Sequence, residues 1–283
     1  MSGAVEVIQS GWEARLQIEY ALRNGRTTLV RRRHSGPLQV QKTLYPEAAE
    51  RCQTILLHPP GGIAGGDHLN IEVRLSLGCK TLVTTPGAAK WYRSDGRPAR
   101  QIVRLTVDDG ALLEWLPQET ILFDGAVAEM ETRIDLAGSA SFLGWEITCL
   151  GRTASGERFA DGRWRQSTEV RRDEQLLWGE YGVMAGNDPL LGSPVGLAGH
   201  PVTATFIAAG KKVTEELRDA CRQVPLADND GGRHGITLFP ELLVARYLGD
   251  STERARQYFI SLWRLLRPCL GGADASPPRI WNT

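Results

Sequence analysis

The chain has 283 residues, 42% of them hydrophobic, and it carries 33 lysines and arginines against 33 aspartates and glutamates. This length allows one large domain or two ordinary ones. Because the formal net charge is zero, no excess positive charge is available to neutralise phosphates, which argues against a nucleic acid as the partner.

Cysteine spacing and hydropathy indicate the compartment. The five cysteines are odd in number and show no CxxC spacing, so neither a disulfide framework nor a zinc site is predicted. The first residues lack the pattern of a signal peptide, and the chain has no run of about 18 apolar residues that would predict a membrane span. A reducing, cytoplasmic location is therefore expected.

The first two thirds of the chain are predicted to consist mainly of β-strands. In segment 69–77, Leu69, Ile71 and Val73 alternate with the polar residues Asn70 and Glu72, so one face of the strand is predicted to be buried. Similar patterns predict strands at 80–85, 101–107, 111–116, 130–136, 141–148, 165–171, 175–183 and 202–208. Such a series favours an all-β sandwich, barrel or solenoid, and no fixed-length repeat chooses among them.

Two α-helices are predicted in the last third, at 211–224 and 250–266, with a strand at 242–248 between them. In the second helix, Asp250 is predicted as the N-cap, with Glu253 placed as in a capping box. Pro268 is predicted to mark its end. Since no stretch resembles a flexible linker, residues 1–283 are predicted to form one mainly β domain with two helices.

A glycine-rich segment, LHPPGGIAGGD at 57–67, runs into a predicted strand. A phosphate-binding loop would need Gly-Lys-Ser/Thr and a following helix, so nucleotide binding is not predicted. Glycine readily takes a positive φ, which favours a tight turn that feeds the strand. The functional alternative is that this turn presents Asp67 at the edge of a groove.

Several carboxylates lie in or beside apolar strand segments, namely Glu119, Asp124, Glu146, Glu157 and Glu180. Glu146 is the clearest case because it lies between Trp145 and Ile147. Burying a carboxylate costs several kcal/mol unless it is paired, hydrated or metal-bound. Three interpretations stay open: Glu146 points to solvent, it pairs with an arginine such as Arg152, or these acids line a hydrated internal path.

The sequence contains no local motif for catalysis or for tight metal binding. The five histidines show neither HxH nor HxxxH spacing, and no G-x-S-x-G elbow occurs. A conduit for a divalent cation would use oxygen ligands that bind the ion and release it again. Because acid pairs for glycoside hydrolysis are spatial, a β-solenoid carbohydrate-active enzyme stays open as an alternative, as does an adaptor that uses exposed aromatic residues.

Six ordered landmarks along most of the chain resemble the UreD (UreH) family of urease accessory proteins. They are PPGGIAGGD at 59–67, TTPGAAKWYRS at 84–94, LPQETILFDGA at 116–126, Glu146 with Gly151-Arg152, GERF at 156–159, and the C-terminal RP at 267–268 with PRIWNT at 278–283.

The resemblance implies an elongated, mainly β helical-ribbon fold with two α-helices in the C-terminal third and no catalytic activity. It implies that the chain binds UreF, and through UreF the GTPase UreG, and that the assembly docks on apo-urease. Nickel would reach urease through an internal tunnel. No tightly bound cofactor is therefore expected, only nickel in transit.

The resemblance also suggests residues for the nickel path and for the partner surface. The path candidates are Asp67, Thr84, Gln118, Glu119, Asp124, Glu146 and Glu180. Ordinary hydrogen bonding within a sheet is the alternative role for Thr84 and Gln118. A partner surface is expected at Trp263, Arg267 and Trp281, because aromatic residues and arginine are enriched in interface hot spots. A place in the core is the alternative for Trp263.

Overall fold

Two β-sheets face each other in this protein, and two α-helices cover the outer face of the larger sheet. A computed structural model describes residues 11–226 and 231–282. The first ten residues, for which the sequence predicts no signal peptide, lie outside these ranges.

The smaller sheet has seven strands in the order β14-β13-β11-β8-β5-β1-β2. Their bounds are β1 (Glu13–Arg23), β2 (Arg26–Ser35), β5 (His68–Leu75), β8 (Ala99–Val107), β11 (Val127–Leu136), β13 (Arg163–Arg172) and β14 (Gln175–Ala185).

The larger sheet follows the order β16-β17-β15-β12-β9-β6-β4-β3, with β10 between β12 and β7 beside this path. Its strands are β3 (Gln39–Leu44), β4 (Arg51–Leu57), β6 (Lys80–Thr84), β7 (Ala89–Trp91), β9 (Leu112–Leu116), β10 (Thr120–Leu122), β12 (Ser141–Leu150), β15 (Val202–Ala209), β16 (Arg233–Phe239) and β17 (Leu242–Gly249).

The chain alternates between the two sheets. From β4 it passes to β5, and then through β6, β8, β9, β11 and β12 to β13, entering the larger and the smaller sheet in turn. Within each sheet these strands pair in parallel, and antiparallel strands extend the sheets at their ends. This solenoid-like stacking confirms the mainly β ribbon and decides among the three architectures left open by the sequence.

Side-chain alternation explains where the core lies. In β5, Leu69, Ile71 and Val73 are buried, whereas Asn70 and Glu72 are half-buried on the outer face. The larger sheet is covered on both faces, so β12 is buried along most of its length. One side of β12 contributes to the core between the sheets and the other to the core under the helices.

The two helices are α1 (Glu215–Arg222) and α2 (Thr252–Gly271), which confirms the predicted pair in the C-terminal third. Helix α1 is shorter than the predicted 211–224, because Thr214 caps its N-terminus. The apolar stripe of α2, including Phe259 and Leu262, packs on the larger sheet. Within the described ranges, neither helix has the length and apolar character needed to cross a membrane.

Helix α2 differs from the prediction at both ends. Its N-cap is Ser251, whose hydroxyl accepts a backbone hydrogen bond, while Asp250 contacts His200 Nδ1 at 2.9 Å. Pro268 lies inside the helix, which ends at Gly271 and is capped by Gly272 with a φ of 73°. Proline removes one intrahelical donor, and the left-handed glycine then closes the last turn.

Strands β1 to β4, β7, β10 and β16 lie outside the predicted segments. Strand β2 is exposed along much of its length at the sheet edge, so its sequence shows no clear alternation. Strand β4 is buried on both faces and lacks alternation for the opposite reason. In β1, by contrast, Leu16, Ile18 and Tyr20 are buried at every second position, a signal that the sequence did contain.

Candidate functional site

A row of polar side chains crosses the space between the two sheets. On the larger sheet the paired residues in this row are Glu146, Thr205 and Arg246, and on the smaller sheet they are Thr132, Thr168 and Glu180. Residues paired across strands share a face of the sheet, and most of the core between the sheets is apolar. Because unpaired polar groups are costly to bury, we expect these side chains to hydrogen-bond to one another or to bind something that enters the space between the sheets.

Glu146 on β12 is the centre of the row. Its Oε1 accepts a hydrogen bond from Thr132 Oγ1 at 2.7 Å, and its Oε2 accepts one from Thr168 Oγ1 at 3.1 Å and another from Gln166 Nε2. Burial raises the pKa of Glu146; the hydroxyl donors oppose that rise and Glu180 adds to it. Strand alternation therefore turns Glu146 toward the other sheet, where it is half-buried.

Arg152, the arginine considered as a partner for Glu146, lies elsewhere. Its guanidinium donates to Glu157 Oε2 from Nε at 2.9 Å and from Nη2 at 2.5 Å. This interaction lowers the pKa of Glu157 to about 2. Within the part of the chain that the structure describes, Glu146 thus has hydrogen-bond donors but no arginine partner.

Two cavities adjoin at Glu146. A cavity of about 270 Å³ lies between the sheets, and a smaller one of about 70 Å³ lies toward β14 and β17. Glu146, Thr148 and Gln166 line both, while Glu180 and Arg246 line only the smaller one. We call the two cavities together the inter-sheet cavities. Glu146 stands where they meet.

Three loops line one end of the larger cavity. They follow β4, β6 and β9, and they contribute His58, Thr85 and Gln118 among other residues. Because β4, β6 and β9 run in parallel, their carboxyl ends meet at one edge of the sheet. The landmarks at 59–67, 84–94 and 116–126 are therefore brought together around this cavity.

His58 lines the larger cavity and was not among the predicted site residues. Its Nε2 is buried and has no hydrogen-bond partner within the described structure. Burial lowers the pKa of His58, and nearby Asp67 opposes that change. Across residues 11–226 and 231–282, no three His, Cys, Asp or Glu side chains form a group that could hold a metal ion.

Asp67 stabilises the glycine-rich turn. Its Oδ1 accepts a hydrogen bond from the Trp12 backbone N–H at 2.8 Å, and its Oδ2 accepts one from Ala64 N–H at 2.8 Å. The carboxylate is buried, and Asp67 does not line the inter-sheet cavities. The geometry matches the tight turn that the sequence favoured.

Thr84 faces the helical side of the larger sheet. Its Oγ1 donates to the Leu116 carbonyl at 2.6 Å and accepts a hydrogen bond from Trp281 Nε1 at 2.8 Å. The next residue, Thr85, lines the larger cavity instead. Thr84 therefore anchors the C-terminal tail, and a bulky side chain at this position would displace the tail.

Gln118 lines the larger cavity, and its Oε1 accepts a hydrogen bond from Arg256 Nη1. Glu119 lies 3.8 Å from the same guanidinium and does not line either cavity. Arg256 belongs to α2, so these contacts tie the loop after β9 to the helix. Of the two neighbours, the structure places only Gln118 at the cavity.

Asp124 lies in a separate loop cluster. Its Oδ1 accepts hydrogen bonds from the backbone N–H groups of Ala160 at 2.9 Å and Asp161 at 2.8 Å, and its Oδ2 accepts one from Arg93. The Asp124 N–H donates to Glu157 Oε1 at 2.9 Å. These bonds give Asp124 a role in joining loops, away from the inter-sheet cavities.

Trp263 and Arg267, two of the residues expected at a partner surface, are buried on the inner side of α2. Trp263 Nε1 donates to Glu114 Oε1 at 2.6 Å, and Arg267 Nε donates to the same oxygen at 2.8 Å. Arg267 Nη2 also contacts Glu47 Oε1 at 2.8 Å. Direct contact with a partner through Trp263 or Arg267 would require this packing to open, so the core alternative describes Trp263.

Trp281 in the C-terminal tail is half-buried against the same core. Its ring centre lies 5.6 Å from that of Trp145 and 6.1 Å from that of Trp263. Together with the hydrogen bond to Thr84, these contacts fold the tail back on the chain.

Comparison with known proteins identifies the family. The model of the family described as UreD urease accessory protein matches residues 13–282. The chain belongs to the UreD family of urease accessory proteins. It is 50% identical over 280 residues to the protein named urease accessory protein UreD from Azoarcus sp. (strain BH72), covering 99% of this chain and 97% of that protein.

Two further relatives carry the same name. The protein from Dechloromonas aromatica (strain RCB) is 51% identical over 275 residues, covering 96% of this chain and 95% of the relative. One from Pseudomonas aeruginosa is 52% identical over 273 residues, with the same two coverages, 96% and 95%.

Proposed function

We propose that this chain is a non-catalytic scaffold of urease maturation that passes nickel toward apo-urease between its two sheets. The observation that carries the proposal is Glu146, a carboxylate without an arginine partner at the junction of two cavities. The nickel path runs from the loop end of the larger cavity, past Gln118, to Glu146 and on to Glu180.

The ligand chemistry around Glu146 suits an ion in transit. Carboxylate, hydroxyl and amide oxygens from Glu146, Thr132, Thr168 and Gln166 surround the junction. Imidazole and thiolate ligands would hold nickel more tightly, whereas a path must also release its ion. A divalent cation that reaches Glu146 favours the charged carboxylate and offsets the effect of burial on its pKa.

The proposed partners are those that the family resemblance implied. The chain binds UreF directly and UreG through UreF, and the assembly docks on apo-urease in the cytoplasm. Among the described residues, four of the five cysteines are buried and none forms a disulfide, which fits a reducing compartment. Because Trp263 and Arg267 are buried, surface residues of the C-terminal region, rather than these two, would form the contact.

The carbohydrate-enzyme alternative lacks a favourable observation. Asp124, Glu157 and Glu180 are each paired with an arginine, and Glu146 lies between the sheets. No two of these carboxylates form an open pair along a substrate groove. Glycoside hydrolysis uses such a pair.

Deletion of the gene in cells that carry a urease operon tests the proposal. We expect assembled urease with little nickel and little activity, and we expect both to return when the gene is restored. Fully nickel-loaded urease in the deletion strain would refute the proposed function.

A further inference from the structure

We propose that the Arg246–Glu180 ion pair is an electrostatic gate at the outer end of the inter-sheet cavities. Arg246 Nη1 lies 2.7 Å from Glu180 Oε1, and both residues line the smaller cavity. The inference rests on the proposed function, because a gate requires that a cation pass this point.

The pair joins the two sheets at the end of the polar row. Glu180 belongs to β14 of the smaller sheet, and Arg246 belongs to β17 of the larger one. Their row partners Thr168 and Thr205 continue the row toward Glu146. A cation moving along the row therefore meets the guanidinium directly after the oxygen ligands at Glu146.

Arg246 has contacts that can hold it when Glu180 is occupied by a cation. Its Nη1 lies 3.3 Å from Thr205 Oγ1, and its Cζ lies 5.9 Å from the centre of the Trp178 ring. Arginine over an aromatic face is stabilised by the ring quadrupole. The guanidinium can thus leave Glu180 while it keeps neighbours on both sheets.

The charges explain how the gate works. With both residues present, the negative charge of Glu180 neutralises the positive charge of Arg246. An arriving cation then competes with Arg246 for the Glu180 carboxylate. Without Glu180, an unpaired positive charge would face the path and repel the cation, because like charges a few ångströms apart, well within the Debye length, still repel each other in water. Glu180 is then a positioning residue for Arg246.

The experiment compares variants of the ion pair in cells that carry the urease operon, with nickel per assembled urease as the readout. The variants are Glu180→Gln, Arg246→Gln with Glu180→Gln, and Arg246→Lys with Glu180→Gln. Arg31→Gln is the matched control, since Arg31 lies 2.9 Å from Glu19 in an exposed ion pair on β1 and β2, at the other end of the smaller sheet. Nickel loading is compared only between variants whose cellular levels and thermal unfolding midpoints match those of the unsubstituted protein.

We expect Glu180→Gln to lower nickel loading about fivefold, because Arg246 is 47% exposed and the repulsion between two unit charges about 4 Å apart in water corresponds to about that factor. Adding Arg246→Gln should restore loading to within about twofold of the control, whereas adding Arg246→Lys, which keeps the charge, should not. The gate is refuted if Glu180→Gln has no effect, or if the Arg246→Gln double variant stays as defective as the single one. A deletion strain with fully loaded urease would instead refute the proposed function itself.

Discussion

Replacing Arg267 with methionine is expected to destabilise the protein strongly. Arg267 is 1% exposed and donates to Glu114, which is 2% exposed. Removing one member of a buried ion pair leaves the other charged and unpaired, which typically costs about 3–5 kcal/mol. In this variant the hydrogen bond from Trp263 Nε1 would be the one that Glu114 keeps among the described residues, so we expect a loss in that range.

A second substitution separates the charge from the packing. Glu114→Gln removes the buried charge and keeps an acceptor for Trp263. Added to Arg267→Met, it should recover about 2 kcal/mol, while alone it should destabilise the protein, since the coupling energy of such close residues is about 0.5–3 kcal/mol.

The pH dependence of the Arg267→Met variant provides a further check. Burial raises the pKa of Glu114, and Arg267 opposes that rise, so loss of Arg267 raises it further. The folded state of the variant then binds a proton more readily than the unfolded state, and its deficit should shrink as the pH falls toward the raised pKa.

Urea unfolding of the full chain, followed by tryptophan fluorescence, measures all three quantities. A cost of less than about 1 kcal/mol for Arg267→Met, typical of an exposed ion pair, would refute the assignment of Arg267 to the core. Failure of Glu114→Gln to recover stability in the double variant would show that lost packing, rather than unpaired charge, causes the effect.

Two further predictions concern the tail and the loop cluster. Trp281→Ala should lower the free energy of unfolding by about 2 kcal/mol, less than for a fully buried tryptophan, because it removes the contact with Trp145 and the hydrogen bond to Thr84; unchanged urea unfolding would contradict the packed tail. The pKa of Glu157 is lowered from 4.5 to about 2 by Arg152, so its contribution to stability is present above pH 4.5 and is lost as the pH falls toward 2. The stability difference between the protein and Glu157→Gln should therefore narrow over that pH range, and a difference independent of pH would contradict the assigned pairing.

The alternation of side chains along the strands explains much of what the sequence could and could not predict. Alternation in 141–148 places Glu146 on the opposite face from Trp145 and Ile147, and this holds. The sequence could not indicate that both faces of β12 are covered, because the second sheet and α2 come from distant segments. That coverage, rather than any local pattern, turns Glu146 toward a cavity.

The landmark segments predicted a neighbourhood better than they predicted individual residues. Thr84 and Thr85 share one landmark, yet only Thr85 lines the cavity, since neighbouring positions face opposite ways. Arg246 carries no local signal, because its pairing with Glu180 depends on the approach of β14 and β17 from different sheets.

The measurement that tests the central claim most directly is the nickel content of urease in cells carrying Glu146→Leu. Leucine removes the carboxylate oxygens at the junction of the two cavities and is close to glutamate in size. The matched control is Glu169→Leu, because Glu169 is 42% exposed on strand β13 of the facing sheet and pairs with Arg171. The account predicts assembled but nickel-poor urease with Glu146→Leu and normal loading with the control, whereas full loading by a folded Glu146→Leu protein would contradict it.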